Sequence, residues 1–124
     1  MRILSVDDSQ TTRQFIKNAV DVLGFEFLEA GDGREGIDLL ERENGKVNLI
    51  LLDWNMPNMN GLEMLKSIKA DARFQTIPVT MVTTEIERHK VVEAVGAGAK
   101  NYVMKPFSQE DLIAKIMESL SMGI

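Results

Sequence analysis

Five polar residues carry the chemistry this chain can perform: Asp7, Asp8, Asp53, Thr83 and Lys105. Each follows a short apolar run. Ile3–Val6 leads into the Asp pair, Val47–Leu52 into Asp53, Ile77–Val82 into Thr83, and Asn101–Met104 into Lys105. The intervals Asp8–Asp53, Asp53–Thr83 and Thr83–Lys105 correspond to about two, one and one βα units of ~20–30 residues. The polar groups therefore recur in phase with the fold and land at one end of a sheet. Three converging carboxylates repel and raise one another's pKa values until a cation joins them. An all-oxygen donor set suits Mg2+, which prefers octahedral geometry and keeps waters that a substrate can replace. Three carboxylates, one Mg2+ and the Lys105 ammonium cancel in formal charge, so the loaded site accepts an anion.

The anion it fits is a phosphoryl group. Mg2+ would neutralise charge between a carboxylate and one phosphoryl oxygen, Lys105 would neutralise a second, and the Thr83 hydroxyl would donate to the third. A carboxylate can itself be the acceptor, giving an aspartyl phosphate. Asp53 stands alone after the middle strand, facing both the pair and Lys105, and is the candidate. Singly, these residues have ordinary roles. An Asp pair can cap a helix, as Thr84 can, and a lone Lys is usually a solvated charge. Their joint placement after strands one, three, four and five favours the functional reading.

The elements that must position them alternate. Phe25–Leu28 completes a set of five strand-like runs, the mainly apolar ones suited to burial on both faces. Between them lie helical stripes: Phe15, Ile16, Ala19, Val20 and Leu23; Ile37 and Leu40; Leu62, Leu65 and Ile68; Leu112, Ile113, Ile116, Met117 and Leu120. Asp32-x-x-Glu35, Asn60-x-x-Glu63, Thr84-x-x-Glu87 and Ser108-x-x-Asp111 have the form of capping boxes or close variants. Gly24 and Gly45 follow helical patterns where a left-handed residue is often needed. This is β-α five times over, an α/β domain with a parallel sheet and right-handed crossovers. Periodicity leaves the strand order open between a flavodoxin-like sheet and another open sheet. Among the remaining residues, His89 reads as solvated and the eight methionines as fillers of core gaps. Trp54 is a natural reporter beside Asp53, and Tyr102 reads as half-buried with a wet hydroxyl. Base rates favour a trans bond before Pro106.

The chain has 124 residues, 44 % hydrophobic and 27 % charged, the balance of one ordinary globular domain. It has no cysteine, which excludes disulfides, thiolate metal sites and cysteine nucleophiles. Fourteen Lys and Arg against nineteen Asp and Glu give a net charge of −5. Nucleic acid and anionic membrane surfaces are therefore not expected partners. No apolar run approaches the ~20 residues of a membrane span. Met1–Val6 reaches Asp7 and Asp8 too early for a signal-peptide core, so a cytoplasmic location is expected.

Ser5-Val6-Asp7-Asp8-Ser9, Leu52-Asp53-Trp54-Asn55-Met56-Pro57, Val82-Thr83 and Lys105-Pro106-Phe107 together resemble the response-regulator receiver domain, in register from end to end. The stretch from Asp53 to Glu63, Met81-Val82-Thr83 and Tyr102–Phe107 are most similar to the chemotaxis receivers of that family. The resemblance implies a single domain over residues 1–124 with no effector domain, a doubly wound (βα)5 flavodoxin-like fold and strand order 2-1-3-4-5. It implies a phospho-accepting signalling domain, not an enzyme, and a monomer. Asp53 would take the phosphoryl group from a CheA-like histidine kinase. Asp7, Asp8, Asp53 and the backbone carbonyl of Asn55 would hold Mg2+, and Lys105 would contact the phosphoryl oxygen. Thr83 and Tyr102 would form the switch pair. Val91, Val95, Tyr102 and Lys115 would read out the state on the face of the fourth helix, fifth strand and fifth helix. Asn55, Thr84 and Glu85 would tune autodephosphorylation. Thr84 stands where the family commonly has a small residue, and Glu118 with the run Glu85-Ile86-Glu87 alters the charge of the output face.

The resemblance implies a flagellar motor switch protein or another target downstream, with a phosphatase as a further partner. The alternative within the family is a phosphorelay carrier between a histidine kinase and a histidine phosphotransfer domain. A haloacid-dehalogenase-like phosphatase needs Asp-x-Asp after the first strand and a cap domain, and neither is present in this sequence. A flavodoxin-like flavin carrier needs a phosphate loop free of carboxylates, where Asp7 and Asp8 stand.

Overall fold

The computed structural model describes residues 1–84 and 90–121. Five strands and five helices alternate through it: β1 (Arg2–Val6), α1 (Gln10–Val22), β2 (Glu26–Ala30), α2 (Gly33–Arg42), β3 (Leu49–Asp53), α3 (Gly61–Lys69), β4 (Val79–Thr84), α4 (Val91–Gly96), β5 (Asn101–Lys105) and α5 (Gln109–Ser121). The sheet is parallel with order β2-β1-β3-β4-β5. That is the doubly wound arrangement, with β1 and β3 at its topological switch point.

Period-two alternation sorts the strand side chains into two cores. Leu4, Val6, Ile50 and Leu52 face a layer made by α2, α3 and α4, with Leu40, Met64, Leu65, Ile68 and Ala94. Ile3, Leu49 and Leu51 face α1 and α5, through Ile16, Ala19, Val20, Leu112 and Ile116. Every residue of β3 is buried, as a central parallel strand requires.

The helix stripes hold with two corrections. Phe15 and Met117 stay 37 % and 47 % exposed, because they lie at the margins of apolar faces wider than the strip the sheet covers. Met64 and Ser119, outside the stripes, are fully buried. Ser9 caps α1, accepting from Thr12 N at 3.2 Å, so neither Asp7 nor Asp8 serves as its N-cap. Asn60 and Glu63 form a full capping box. Asp32 accepts from Glu35 N, and Ser108 from Asp111 N. Thr84 is the last residue of β4; the box expected from Thr84 to Glu87, with His89 and the acidic run, lies outside the described residues. Gly24 and Gly45 have φ of +74° and +69°, as their places after helices demand. The Lys105–Pro106 bond is cis, against the base rate.

A buried polar knot ties α5 to the sheet. Thr80 Oγ1 donates to Ser119 Oγ at 2.6 Å and Asn101 Nδ2 donates to it at 3.2 Å, while Ser119 Oγ donates to Lys115 O at 2.7 Å. Ser119→Ala leaves the Thr80 hydroxyl and the Asn101 amide short of a partner in the interior. Its expected cost is about 1–3 kcal/mol by urea denaturation. Thr80→Val added to it should cost less than it does alone, because the hydroxyl it removes is already stranded. Strict additivity would dissolve the knot.

Candidate functional site

The carboxyl ends of β1, β3 and β5 bring Asp7, Asp8, Asp53 and Lys105 together. Carboxylate oxygens of Asp7, Asp8 and Asp53 all lie within 4.8 Å of one another. Asp7 and Asp53 are 1 % and 7 % exposed, while Asp8 faces solvent. Lys105 Nζ stands 3.4 Å from Asp7 Oδ2 and 3.4 Å from Asp53 Oδ1. It is shared between two acids and committed to neither.

Asp7 is held from four directions. Its N–H donates to Ala30 O at 3.1 Å and its carbonyl accepts from Arg13 Nη1 at 2.5 Å. Its Oδ1 accepts from Ser9 N at 2.8 Å, and its Oδ2 faces Lys105. Arg13 also pairs with Glu29 at 2.7 Å. Sequence reasoning missed Arg13. The available signal was its place one turn beyond the α1 cap, on the helix end that abuts the Asp pair.

Burial pushes the Asp53 carboxyl up to about 6, and the charge of Asp7 adds to it; Lys105 and the Trp54 N–H offset only part. Burial also raises Asp7, against the pull of the Ser9 N–H and Lys105. For Lys105, burial works against the charge, but Asp53 and Asp7 outweigh it and hold the ammonium protonated. Two crowded carboxyls that resist ionisation despite a lysine between them form a site short of positive charge. A hard divalent cation with oxygen preference, such as Mg2+, fits that donor set. Asp7, Asp8 and Asp53 would hold it. Asn55 follows two residues later on the exposed part of the β3–α3 loop.

Thr83 is the penultimate residue of β4, at the same end of the sheet as this group. Asp53 pairs with Val82 in register, which puts Thr83 one residue beyond. Thr83 is 1 % exposed, and its Oγ1 makes a long contact of 3.4 Å with Thr84 O. Tyr102 sits lower in the sheet, opposite Met81, half-buried against the α2–α3–α4 core. Lys115 Nζ lies 5.5 Å over the Tyr102 ring, so these two output candidates share one surface. On α4, Val91 is half-buried and Val95 is 55 % exposed. Val92, which sequence reasoning passed over, is 80 % exposed. Glu118 pairs with Lys115 at 3.7 Å and accepts from Asn101 at 3.2 Å, which confines the acidic charge to the output side. Glu85 lies outside the described residues.

Residues 3–117 match the family model for the response regulator receiver domain. The chain belongs to that family. It is 44 % identical over 124 residues to the chemotaxis protein CheY homolog of Campylobacter jejuni, covering 99 % of this chain and 95 % of that protein. It is 44 % identical over 117 residues to the chemotaxis protein CheY1 of Helicobacter pylori, covering 94 % of each. Among solved structures, chemotaxis protein CheY4 of Vibrio cholerae superposes with a TM-score of 0.87 at 31 % identity, over 95 % of this chain and 97 % of that one. A receiver is a phospho-accepting signalling module, not a catalytic enzyme, and its partner is a histidine kinase. The acidic triad is typical of the receiver's Mg2+ site. No helix among the described residues is long and apolar enough to cross a membrane.

Proposed function

We propose that this receiver works as a stand-alone, monomeric, cytoplasmic messenger in chemotaxis, phosphorylated on Asp53 by a CheA-like histidine kinase and read by a flagellar motor switch protein. The observation that carries the site assignment is Asp53 itself: a nearly buried carboxylate, within 4.8 Å of two more, with Lys105 at 3.4 Å. A carboxylate oxygen of Asp53 attacks the phosphorus of the donor's phosphohistidine. The P–N bond breaks, the acyl phosphate P–O bond forms, and the imidazole leaves with the electron pair and takes up a proton. Asp7, Asp8, Asp53 and the Asn55 carbonyl would hold Mg2+, which would supply charge neutralisation at the transferring group. Lys105 needs only a small displacement to meet a phosphoryl oxygen, since it is shared between two acids.

The Thr83 hydroxyl, in long contact with Thr84 O, turns toward the new oxygens. The space it leaves admits Tyr102 from its half-buried position. A differential interaction of about 2–3 kcal/mol with one arrangement moves a mostly inactive ensemble to a mostly active one. Val91, Val95, Tyr102 and Lys115 then present the α4–β5–α5 face to the target. Asn55, Thr84 and Glu85 tune autodephosphorylation and so set the lifetime; a phosphatase, where present, works on the same bond.

An open apolar groove of about 600 Å3 adjoins the site, lined by Thr11, Thr12, Phe15, Thr84, Pro106 and Phe107, with Lys105 at its edge. Phe15 and Phe107 meet edge-to-face there, centroids 5.5 Å apart. A phosphohistidine-bearing helix seated in it lies beside Asp53, because Lys105 borders both. This groove also supports the second reading, a phosphorelay carrier that passes the group to a histidine phosphotransfer domain.

Trp54, 6 % exposed and next to Asp53, reports the test. Its fluorescence should change with Mg2+ and again with a small phosphodonor in the wild type, with the donor response lost in Asp53→Asn. An equal donor response in both proteins would remove Asp53 as the acceptor. For the two readings, transfer of the group to a histidine phosphotransfer domain, with no binding of an acidic motor-switch peptide, would favour the carrier.

A further inference from the structure

We infer that Asp32 and Asn58, neither of which belongs to the acidic site, are positioning residues for its metal binding, through the loop that carries Asn55. The inference rests on the Mg2+ reading above. Asp32 follows β2, a strand that contributes nothing to the acidic triad, yet it is only 6 % exposed. Its two carboxylate oxygens have separate tasks. Oδ1 accepts from Glu35 N at 2.9 Å and caps α2, while Oδ2 accepts from Asn58 Nδ2 at 2.8 Å across the molecule. Asn58 has φ of +65°, a left-handed conformation that Asn and Asp tolerate better than other side chains. One residue on, Gly33 N donates to Met59 O at 3.1 Å, and a Cβ on Gly33 would stand 2.7 Å from that oxygen. The β3–α3 loop is therefore anchored by Asp53 in β3 at one end and by the start of α2 in its middle. Asn55 lies between these anchors. Groups that orient metal ligands are worth roughly 10–100-fold in affinity when lost.

The pair allows an exchange test with Mg2+ itself as the probe, read by Trp54 fluorescence. Asp32→Asn keeps the cap, because Asn caps as well as Asp, and a flip of the Asn58 amide restores a hydrogen bond, neutral where the wild-type one is charge-assisted. Asn58→Asp sets two carboxylates against each other. The double exchange Asp32→Asn/Asn58→Asp restores a hydrogen bond with donor and acceptor swapped, at unchanged net charge. We expect Asn58→Asp to weaken Mg2+ binding by ~10-fold, Asp32→Asn to weaken it by less, and the double exchange to recover most of the Asn58→Asp loss. A long-range charge effect gives a different pattern: Asp32→Asn weakens binding, Asn58→Asp tightens it, and the exchange has no special standing. Thermal midpoints separate binding from loss of fold. If a single variant is unfolded, the affinity of the exchange variant against wild type decides between the two patterns. Unchanged affinities, tighter binding in Asn58→Asp, or an exchange no better than Asn58→Asp overturns the inference while the Mg2+ site stands. Absence of any Mg2+ response in the wild type overturns the site reading and this inference with it.

Discussion

In the absence of Mg2+, the protein should lose stability as the pH rises from about 4 to about 6, and Asp53→Asn should remove most of that loss. The folded protein holds the Asp53 proton up to about 6, because burial and the Asp7 charge oppose ionisation. The unfolded chain releases it near ~3.9. Between those values the folded state binds more protons than the unfolded one, so the free energy of unfolding falls as pH rises. Below about 4 the stability is fully present, and above about 6 the loss is complete. Two pH units correspond to at most ~3 kcal/mol, reduced to ~1–2 kcal/mol by water at the mouth of the site. Asp7 is raised by the same cause and adds in the same direction. Asp32, lowered by the Glu35 N–H and Asn58, works the opposite way but is common to both proteins. Thermal melts in chelator should therefore coincide near pH 4 and separate by ~4–8 °C at pH 8, with Asp53→Asn the more stable. Mg2+ binds the ionised carboxylates, so its stabilisation of the wild type should grow over the same pH range. Parallel pH curves for the two proteins would mean that Asp53 ionises without strain, and the site would lose its electrostatic basis.

The second large effect is steric. Gly61→Ala should destabilise the protein by about 3 kcal/mol or more and weaken Mg2+ binding by over tenfold. A Cβ at Gly61 would stand 2.2 Å from Asp53 O and 3.0 Å from Trp54 Cα. These are backbone atoms of the acceptor and its neighbour, so no rotamer change relieves the clash. Gly61 N also donates to Trp54 O at 2.9 Å, which fixes the approach. Either α3 withdraws from β3 or the end of β3 moves, and in both cases Asp53 leaves its place between Asp7 and Lys105. Gly96→Ala is the matched control. It ends α4 with nothing within 4 Å of the added carbon and should gain about 0.5–1 kcal/mol. Urea denaturation and Trp54-monitored Mg2+ titration of both variants decide the matter. A Gly61→Ala protein with wild-type stability and affinity would show that the loop after Asp53 is not fixed against β3.

Much of this was legible because the chemistry recurs in phase with the elements. Asp7 directly follows β1, Asp53 and Lys105 end β3 and β5, and a parallel sheet delivers all these strand ends to one rim. The capping box at Asn60 was equally plain, since it depends on residues three apart. The burial of Met64 and Ser119 was not, because it depends on what the opposite layer leaves room for. Phe15 misled for a related reason. Its spacing marks it as core, but α1 turns it to the groove edge against Phe107, far away in the chain.

The order of elements, the residues available for a phosphoryl site and the charge type of its cation follow from the sequence by itself. They rest on local periodicity and on residue chemistry, both readable within a few turns of chain. The 3.4 Å sharing of Lys105 between Asp7 and Asp53 was decided only by the tertiary structure. So were the grip of Arg13 on the Asp7 carbonyl and the span from Asp32 to Asn58. The last two are hydrogen bonds between separate elements, and all three contacts act over a few ångströms. Their partners are set by the register of β1 on β3 and by the seating of α2 beside the β3–α3 loop. Neither is encoded in the spacing of any one segment. Hydrophobic patterning brings the strands to the rim, and packing alone determines which atoms meet there.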